Sequence, residues 1–281
     1  MVELGIGTMV RFNCPPAESF KRLRGMGMTC CQLCAPPDNY LYGREGRENT
    51  RILKEAVEEY QIEVTSLFIS WPEQNWDEHI YSIGLVPEHT RTARMVRACR
   101  SADWGRELGV RQIASHVGAL PCDYGLSFWH DFVRDMKPFV RLLGSNDQIL
   151  AYETGMESSV THKKLMEDIG EENQGINFDP ANLLIYNQED PAHFIEELGD
   201  KIVHIHCKDA RRPAYAERMG KETRLGDGET NFKELFRTLY AKGYRGPLTI
   251  EREIPAGIEQ DNDIVYAVKL LENLKKEVKG E

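Results

Sequence analysis

Residues 148–206 contain three short apolar runs that each end in a candidate metal ligand: Q-I-L-A-Y-E at 148–153, G-I-N-F-D at 175–179 and I-V-H-I-H at 202–206. A fourth run, G-P-L-T-I-E at 246–251, repeats the pattern. Each run is typical of a buried strand, and the residues that end the four runs are Glu153, Asp179, His206 and Glu251. The first three are 26 and 27 residues apart, and the last follows after 45. One strand, one helix and two loops fill the shorter interval, so the ligands are predicted to recur once per βα unit.

These four side chains form a donor set with a clear chemical preference. Three carboxylates and one imidazole suit a divalent cation. A carboxylate at the end of a buried run is costly without a partner, and a shared cation supplies one. Parallel barrels carry their chemistry at the C-terminal ends of their strands. The sequence therefore predicts a metal site at one end of such a barrel.

Strand-like and helix-like segments alternate along the whole chain, from L-G-I-G-T-M-V at 4–10 to a helical segment at 262–274. Eight such pairs on 281 residues predict the α/β class and a single (β/α)8 TIM barrel over residues 1–281. The chain has no linker-like stretch. It also lacks a G-x-G-x-x-G or Walker motif, which disfavours a nucleotide-binding open sheet. Pro138 is expected to bend or split the helix predicted at 127–143.

Composition excludes several classes of function. The chain has 35 basic and 45 acidic residues, a net charge of −10, which disfavours nucleic-acid binding. No apolar segment approaches the roughly 18 residues of a membrane span. The N-terminus carries Glu3 and no basic region, so a first strand is expected there rather than a signal peptide. Seven cysteines without disulfide-like spacing, including C-C-Q-L-C at 30–34, predict reduced thiols and a cytoplasmic protein.

Further residues near predicted strand ends are candidates for the pocket. His204 faces the same way as His206 and lies one layer deeper, so we expect a hydrogen-bonded interior histidine. His116 contacts substrate, orients Glu153 or is a structural rim residue. Trp71 either walls the pocket, where an aromatic face suits the C–H face of a sugar, or covers the barrel top.

The segment at 209–230 is predicted to be a long loop. Asp209 at its start is either a second layer of the metal site or a loop cap. Beyond Asp209, the loop mixes five basic with four acidic side chains, so a phosphate site and a solvated lid both remain open.

Five motifs in order give the sequence a resemblance to a known group. They are A-Y-E-T-G at 151–155, N-F-D-P-A-N at 177–182, V-H-I-H-C-K-D at 203–209, L-G-D-G-E-T-N-F at 225–232 and L-T-I-E-R-E at 248–253. Together they resemble the xylose-isomerase-like TIM-barrel superfamily, and most of all its sugar phosphate isomerase/epimerase branch, which includes ketose 3-epimerases. The resemblance spans essentially the whole chain.

The resemblance implies roles for individual residues. A Glu, Asp, His, Glu quartet binds one divalent ion in those epimerases, and the motifs match it to Glu153, Asp179, His206 and Glu251. Mn²⁺ is expected, with Co²⁺, Mg²⁺ or Zn²⁺ as alternatives. The two glutamates also act as the acid/base pair there. Arg212, six residues after the metal histidine, matches a substrate-binding arginine.

Two positions depart from the pattern that the resemblance provides. Asn182 stands where a histidine is usual, and Ser159 stands where a further glutamate is usual. Asn182 can hydrogen-bond a hydroxyl group but cannot exchange protons as histidine does. These departures disfavour epimerisation of a free ketohexose.

The expected function is therefore a metal-dependent isomerase or epimerase of a sugar or keto-sugar that works through an enediolate. The alternative is a lyase on the same intermediate, like inosose dehydratases or C-glycoside-cleaving relatives. A minor alternative is a DNA-repair hydrolase similar to endonuclease IV, which the negative charge and Asn182 disfavour. A barrel that uses the ion only for stability is the non-catalytic reading. The expected partner is a small-molecule carbohydrate, with no nucleic acid and no membrane; a homo-oligomer is left open.

Overall fold

The structure, a computed structural model, describes residues 3–75 and 78–280, and of residues 79 and 80 only the backbone. Within those residues, parallel strands close into one barrel in the order β1-β10-β7-β6-β5-β4-β3-β2. The barrel strands are β1 (Ile6–Val10), β2 (Cys30–Cys34), β3 (Glu63–Phe68), β4 (Gln112–Ser115), β5 (Ile149–Glu153), β6 (Gln174–Phe178), β7 (Ile202–Cys207) and β10 (Leu248–Ile250). The predicted α/β class and (β/α)8 barrel are confirmed.

Helices surround the barrel on its outer face. Their bounds are α1 (Pro16–Gly25), α2 (Asp38–Leu41), α3 (Gly43–Tyr60), α4 (His79–Ser82), α5 (Glu88–Glu107), α6 (Ser127–Ser145), α7 (Ser159–Ile169), α8 (Pro180–Ile185), α9 (Pro191–Leu198), α10 (Phe232–Ala241) and α11 (Ile258–Lys279). No helix among the described residues is both long enough and apolar enough to cross a lipid bilayer. The limits 1–281 for a single domain remain a prediction, because residues 1, 2 and 281 lie outside the described part.

Helix α6 illustrates how the outer layer is held. Its apolar side chains recur at intervals of three and four, which places them on one face of the helix. The buried members of that face are Trp129, Phe132, Val133, Met136, Phe139, Val140 and Leu143. Large side chains such as these fill the space between helices and strands and supply most of the favourable burial.

Pro138 does not split this helix, contrary to one of the two expected outcomes. The helix runs unbroken from Ser127 to Ser145 with Pro138 inside it. Pro138 and Arg134, four residues before it, are both exposed. On a solvent-facing side of a helix, water can satisfy the carbonyl that a proline leaves without a hydrogen bond, so the helix continues.

The strand order determines where the four candidate ligands lie. β5, β6, β7 and β10 are consecutive neighbours in the barrel wall. Parallel registers align their C-terminal ends: Glu153 pairs with Asn177, and His206 pairs with Thr249. The four ligands therefore project from one continuous arc at the same end of the barrel.

The sequence-based prediction lacked several short elements, and those nearest the candidate site lie after β6 and β7. Helix α8 follows β6 directly, and an antiparallel pair, β8 (Asp209–Arg211) with β9 (Lys221–Thr223), organises the predicted long loop. Asp209 is the cap of that loop. Its Oδ2 accepts hydrogen bonds from the backbone amides of Gly226 and Gly228, and its Oδ1 accepts from Thr230. The loop-cap reading of Asp209 is thus confirmed.

Candidate metal centre and sugar pocket

The structure brings the four predicted ligands together. One ligand atom from each of Glu153, Asp179, His206 and Glu251 lies within 4.8 Å of all the others. The Nδ1 atom of His206 is at the centre: it lies 2.9 Å from Oε1 of Glu153, 3.2 Å from Oε2 of Glu251 and 3.7 Å from Oδ2 of Asp179. Such a set of convergent oxygen and nitrogen donors can hold a divalent cation.

Asp179 is oriented by the start of α8. It is the N-cap residue of this helix, and its Oδ1 accepts hydrogen bonds from the backbone amides of Ala181 at 2.8 Å and Asn182 at 3.0 Å. This capping interaction uses one carboxylate oxygen. The other, Oδ2, is buried without a hydrogen bond and faces the cluster, where it is available to a cation.

His206 is oriented from the opposite side of the barrel. Its Nε2–H donates to Oε1 of Gln32, on β2, at 2.7 Å. Gln32 is held in turn because its amide donates to Oγ of Ser66 at 3.0 Å and to Oδ1 of Asn177 at 3.3 Å. The Gln32 contact fixes the tautomer that leaves the Nδ1 lone pair free for a metal ion. Nδ1 has no hydrogen-bond partner among the described residues.

The electrostatics of the cluster are those of a site that attracts positive charge. Burial alone would lower the pKa of His206, but the Glu251 and Glu153 carboxylates beside it raise that pKa well above its ordinary value. Burial raises the pKa of Glu251, yet the Lys208 ammonium and His206 hold it well below its ordinary value. Burial likewise raises the pKa of Asp179, only partly offset by Lys208. The buried Oδ2 of Asp179 and Nδ1 of His206 lack hydrogen-bond partners among the described residues, and with the two glutamates they fit a divalent metal ion.

Lys208 is a buried member of the site that sequence reasoning missed. Its Nζ lies 3.1 Å from Oε2 of Glu251 and 3.5 Å from Oδ2 of Asp179. It also pairs with Glu253 and donates to Oδ1 of Asn182 at 3.3 Å. Although burial lowers its pKa, the surrounding carboxylates raise it well above the ordinary lysine value. A signal existed, because Lys208 continues the alternation of His204 and His206, which face the barrel interior.

Above the cluster lies a cavity of about 670 Å³, here called the central cavity. Glu153 and Glu251 are on its floor together with Lys208. Its volume falls within the range of about 300–1,000 Å³ that is common for small-molecule sites. The position at the C-terminal ends of the strands is where barrels of this type bind their substrates.

Three of the four predicted substrate-binding residues line this cavity. His116 lines the cavity, and its Nε2 lies 2.9 Å from Oε2 of Glu153. Gly155 leaves room for the imidazole, since a Cβ atom at position 155 would lie only 2.9 Å from His116 Cε1. Burial lowers the pKa of His116, but Glu153 outweighs burial and raises it. Trp71 is buried in the wall, where its Nε1 donates to the carbonyl of Arg94 at 3.3 Å. Asn182 donates to the carbonyl of Thr154 at 3.2 Å.

Arg212 is the exception. It is absent from the lining of the central cavity, and its guanidinium lies 3.7 Å from Oδ2 of Asp190. Its backbone amide donates to Glu229 at 3.0 Å. A substrate contact by Arg212 therefore stays a prediction and requires the loop to move. Nearby, Lys221 pairs with Glu217, and Arg224 pairs with Asp227.

His204 occupies the layer below His206, as expected. Its two ring nitrogens lie 3.0 Å from Oε1 of Gln112 and 2.7 Å from Oγ1 of Thr249. Burial lowers its pKa well below the ordinary histidine value. His204 is thus a neutral, fully hydrogen-bonded interior residue.

Comparison with known proteins agrees with this architecture. Residues 20–274 match the family model of the xylose isomerase-like TIM barrel. The chain belongs to this family. Solved structures with the same fold include a xylose isomerase domain protein from Planctomyces limnophilus, 26% identical, with a TM-score of 0.89 over 100% of this chain and 99% of that one.

Two further comparisons involve proteins with named activities. A D-psicose 3-epimerase crystallised in the presence of D-fructose is 13% identical, with a TM-score of 0.71 over 96% of this chain and 99% of that chain, a likeness of fold alone. An inosose dehydratase of Clostridium botulinum (strain Eklund 17B / Type B) is 26% identical over 164 residues, 53% of this chain and 54% of the relative. The chain thus spans about half the length of the curated relatives it matches.

Proposed function

We propose that the protein is a divalent-metal-dependent isomerase or epimerase of a keto-sugar, with Glu153 and Glu251 as its acid/base pair. The carrying observation is that the buried Glu153 and the largely buried Glu251 lie 2.9 and 3.2 Å from Nδ1 of His206, while both also line the central cavity. Structural metal sites are closed, whereas this cluster opens onto a cavity large enough for a sugar. The epimerase neighbours support a sugar as the substrate class.

When bound at the cluster, a divalent ion would act as a Lewis acid on the sugar's carbonyl and adjacent hydroxyl oxygens and stabilise an enediolate. Glu153 and Glu251 would hold that ion together with Asp179 and His206. One glutamate removes the proton next to the carbonyl, and the other returns a proton to the opposite face. The Lys208 ammonium, 3.1 Å from Oε2 of Glu251, stabilises the ionised form of that carboxylate, which is the form a proton-removing base needs.

Other lining residues would hold the sugar. The ring of Trp71 offers an apolar face to the C–H groups of the sugar. Asn182 and His116 offer hydrogen bonds to hydroxyl groups. Because Asn182 is already bonded to Thr154 and Lys208, it is rigid and suited to positioning.

Hydrogen exchange tests the proposal. Candidate keto-sugars incubated in D₂O with Mn²⁺ and the protein should gain deuterium next to the carbonyl and keep their mass otherwise. Glu153→Gln and Glu251→Gln should each slow the overall reaction by about 10²–10⁴-fold, as expected for positioned acid/base groups. Glu157→Gln is the matched control, because Glu157 is also buried but does not line the central cavity. Full activity in both test variants would refute the acid/base assignment.

A lyase on the same enediolate is the second candidate, and His116 favours it. Its imidazole lies 2.9 Å from Glu153, which raises its pKa beyond the opposing effect of burial, so a proton is available for a leaving group. The inosose dehydratases among the relatives support this chemistry. A lyase product would lack water or an aglycone. Mass spectrometry of the products therefore separates the two reactions, and His116→Gln should abolish only the elimination.

A further inference from the structure

A second cavity of about 370 Å³, here called the side cleft, adjoins the central cavity. It lies between the segment that follows β1 and the segment that joins β10 to α11. The two cavities share four lining residues: Met9, Arg11, Glu251 and Glu253. The two volumes are therefore adjacent, with Arg11 and Glu253 at their junction.

The charges of the side cleft disfavour an anionic occupant. Of its arginines, Arg22 pairs with Asp261, and Arg252 lies 2.8 Å from both Glu222 and Asp263. These guanidinium groups are already neutralised. The lining also contains the carboxylates of Glu18 and Glu253, which would repel a phosphate.

The polar groups that remain suit hydroxyl groups. Asn13 and Glu18 line the side cleft as exposed residues, and their side chains make no hydrogen bond to any described residue. The amide of Gln260 donates to the carbonyls of Arg252 and Ile254, which leaves its oxygen as an acceptor. Arg11, at the junction, forms no ion pair within the described part of the chain and can donate to a glycosidic or ring oxygen. An uncharged polyhydroxylated ring matches this mixture of donors and acceptors.

We infer that the substrate is a glycoside: a keto-sugar ring at the metal cluster carries a second, uncharged sugar ring that occupies the side cleft. This inference rests on the proposed function, because it takes the ring at the cluster to be the reacting one. Arg11 would span the bond between the two rings.

Binding of matched sugars to the Mn²⁺-loaded protein tests the inference. Calorimetry would compare D-fructose with its glucosyl derivatives turanose, maltulose and isomaltulose, which differ in the linkage position. At least one disaccharide should bind about tenfold or more tightly than D-fructose, since two net hydrogen bonds suffice for that factor. The bound Mn²⁺ should also relax the fructosyl protons more strongly than the glucosyl protons, which lie further from the cluster.

Filling the side cleft gives the decisive comparison. Ala256→Trp and Asn13→Trp should each remove the preference for the disaccharide, while Val160→Trp, at an exposed position of α7, should preserve it. A preference for the disaccharide over D-fructose that survives in both cleft variants overturns the inference. The inference is also overturned if D-fructose 6-phosphate binds more tightly than the disaccharides and Arg11→Ala abolishes that binding. Equal binding of D-fructose and all three disaccharides also overturns it.

The two proposals fail separately. If D-fructose or another simple keto-sugar exchanges deuterium but no disaccharide is preferred, the proposed function stands and the glycoside inference is wrong. If disaccharides bind in the side cleft but no sugar of either kind exchanges its proton, the acid/base mechanism is wrong and the glycoside site stands.

Discussion

Replacement of Gln32 by leucine should weaken metal binding although Gln32 is not a ligand. Gln32 is fully buried, and its Oε1 accepts the 2.7 Å hydrogen bond from Nε2–H of His206. Leucine removes this acceptor, so Nε2–H of His206 is buried without a partner whenever the His206 ring is oriented to bind the metal ion. An unsatisfied buried donor costs about 1–3 kcal/mol, which corresponds to about 5–150-fold in affinity. Loss of such outer contacts typically lowers metal affinity about 10–100-fold.

The cost should fall on the metal-bound state, because in the ion-free protein the ring can reorient or take a proton at Nδ1. Competition between the protein and a fluorescent chelator for Mn²⁺ measures the affinity. Ser66→Ala is the matched control, since it removes a neighbour of the Gln32 amide at 3.0 Å while the bond to His206 remains. An affinity for Mn²⁺ that is the same in Gln32→Leu as in the wild type would refute the idea that Gln32 orients His206.

Three further outcomes are expected. Elemental analysis after dialysis against Mn²⁺ should give one ion per chain and almost none in Asp179→Ala; two or three ions per chain would favour the endonuclease-like alternative. Lys208→Met leaves buried carboxylates unpaired and should lower the free energy of unfolding, measured in urea, by about 3–5 kcal/mol without metal. The loss should be smaller with Mn²⁺, because the ion also neutralises these carboxylates. An equal loss in both conditions would contradict this. Burial holds the pKa of His162 at about 4, below its ordinary 6.5. As the pH falls, His162 therefore gains a proton in the unfolded chain before it does so in the folded protein. Between pH 7 and 5, the free energy of unfolding of the wild type should fall by about 2 kcal/mol relative to that of His162→Phe. Parallel curves of unfolding free energy against pH for the two proteins would contradict this.

The sequence predicted the fold and the ligand cluster for the same physical reason. Apolar runs that end in a titratable residue need a partner for that residue, and a repeat of one βα unit dictates that parallel strand ends meet. The four ligands come from the neighbouring strands β5, β6, β7 and β10, so the spacing along the chain translates directly into proximity. His204 followed from the same alternation, since residues two apart on a strand share a face.

Contacts across the barrel could not be predicted in this way. Gln32 and His206 are 174 positions apart and lie on strands that are not neighbours, so no periodicity connects them. The position of Arg212 depended on a loop whose path is fixed by Asp209 and the β8–β9 pair rather than by a repeating pattern. The interior orientation of Lys208 could have been predicted from alternation, but a lysine is so seldom buried that composition argued against it.

The placement of these residues divides the barrel into two arcs with different roles. The arc of β5, β6, β7 and β10 supplies the four clustered ligand atoms, and Lys208 follows β7 on the same arc. The lining residues Arg11, Trp71 and His116 follow β1, β3 and β4 on the opposite arc. The ligand arc also supplies Asn182 to the wall of the central cavity, whereas the opposite arc contributes to that wall without supplying any of the four clustered ligands. The side cleft lies where the arcs join, between β1 and β10, so the inferred second sugar ring would lie beside the ligand Glu251 and away from Trp71, which lines only the central cavity.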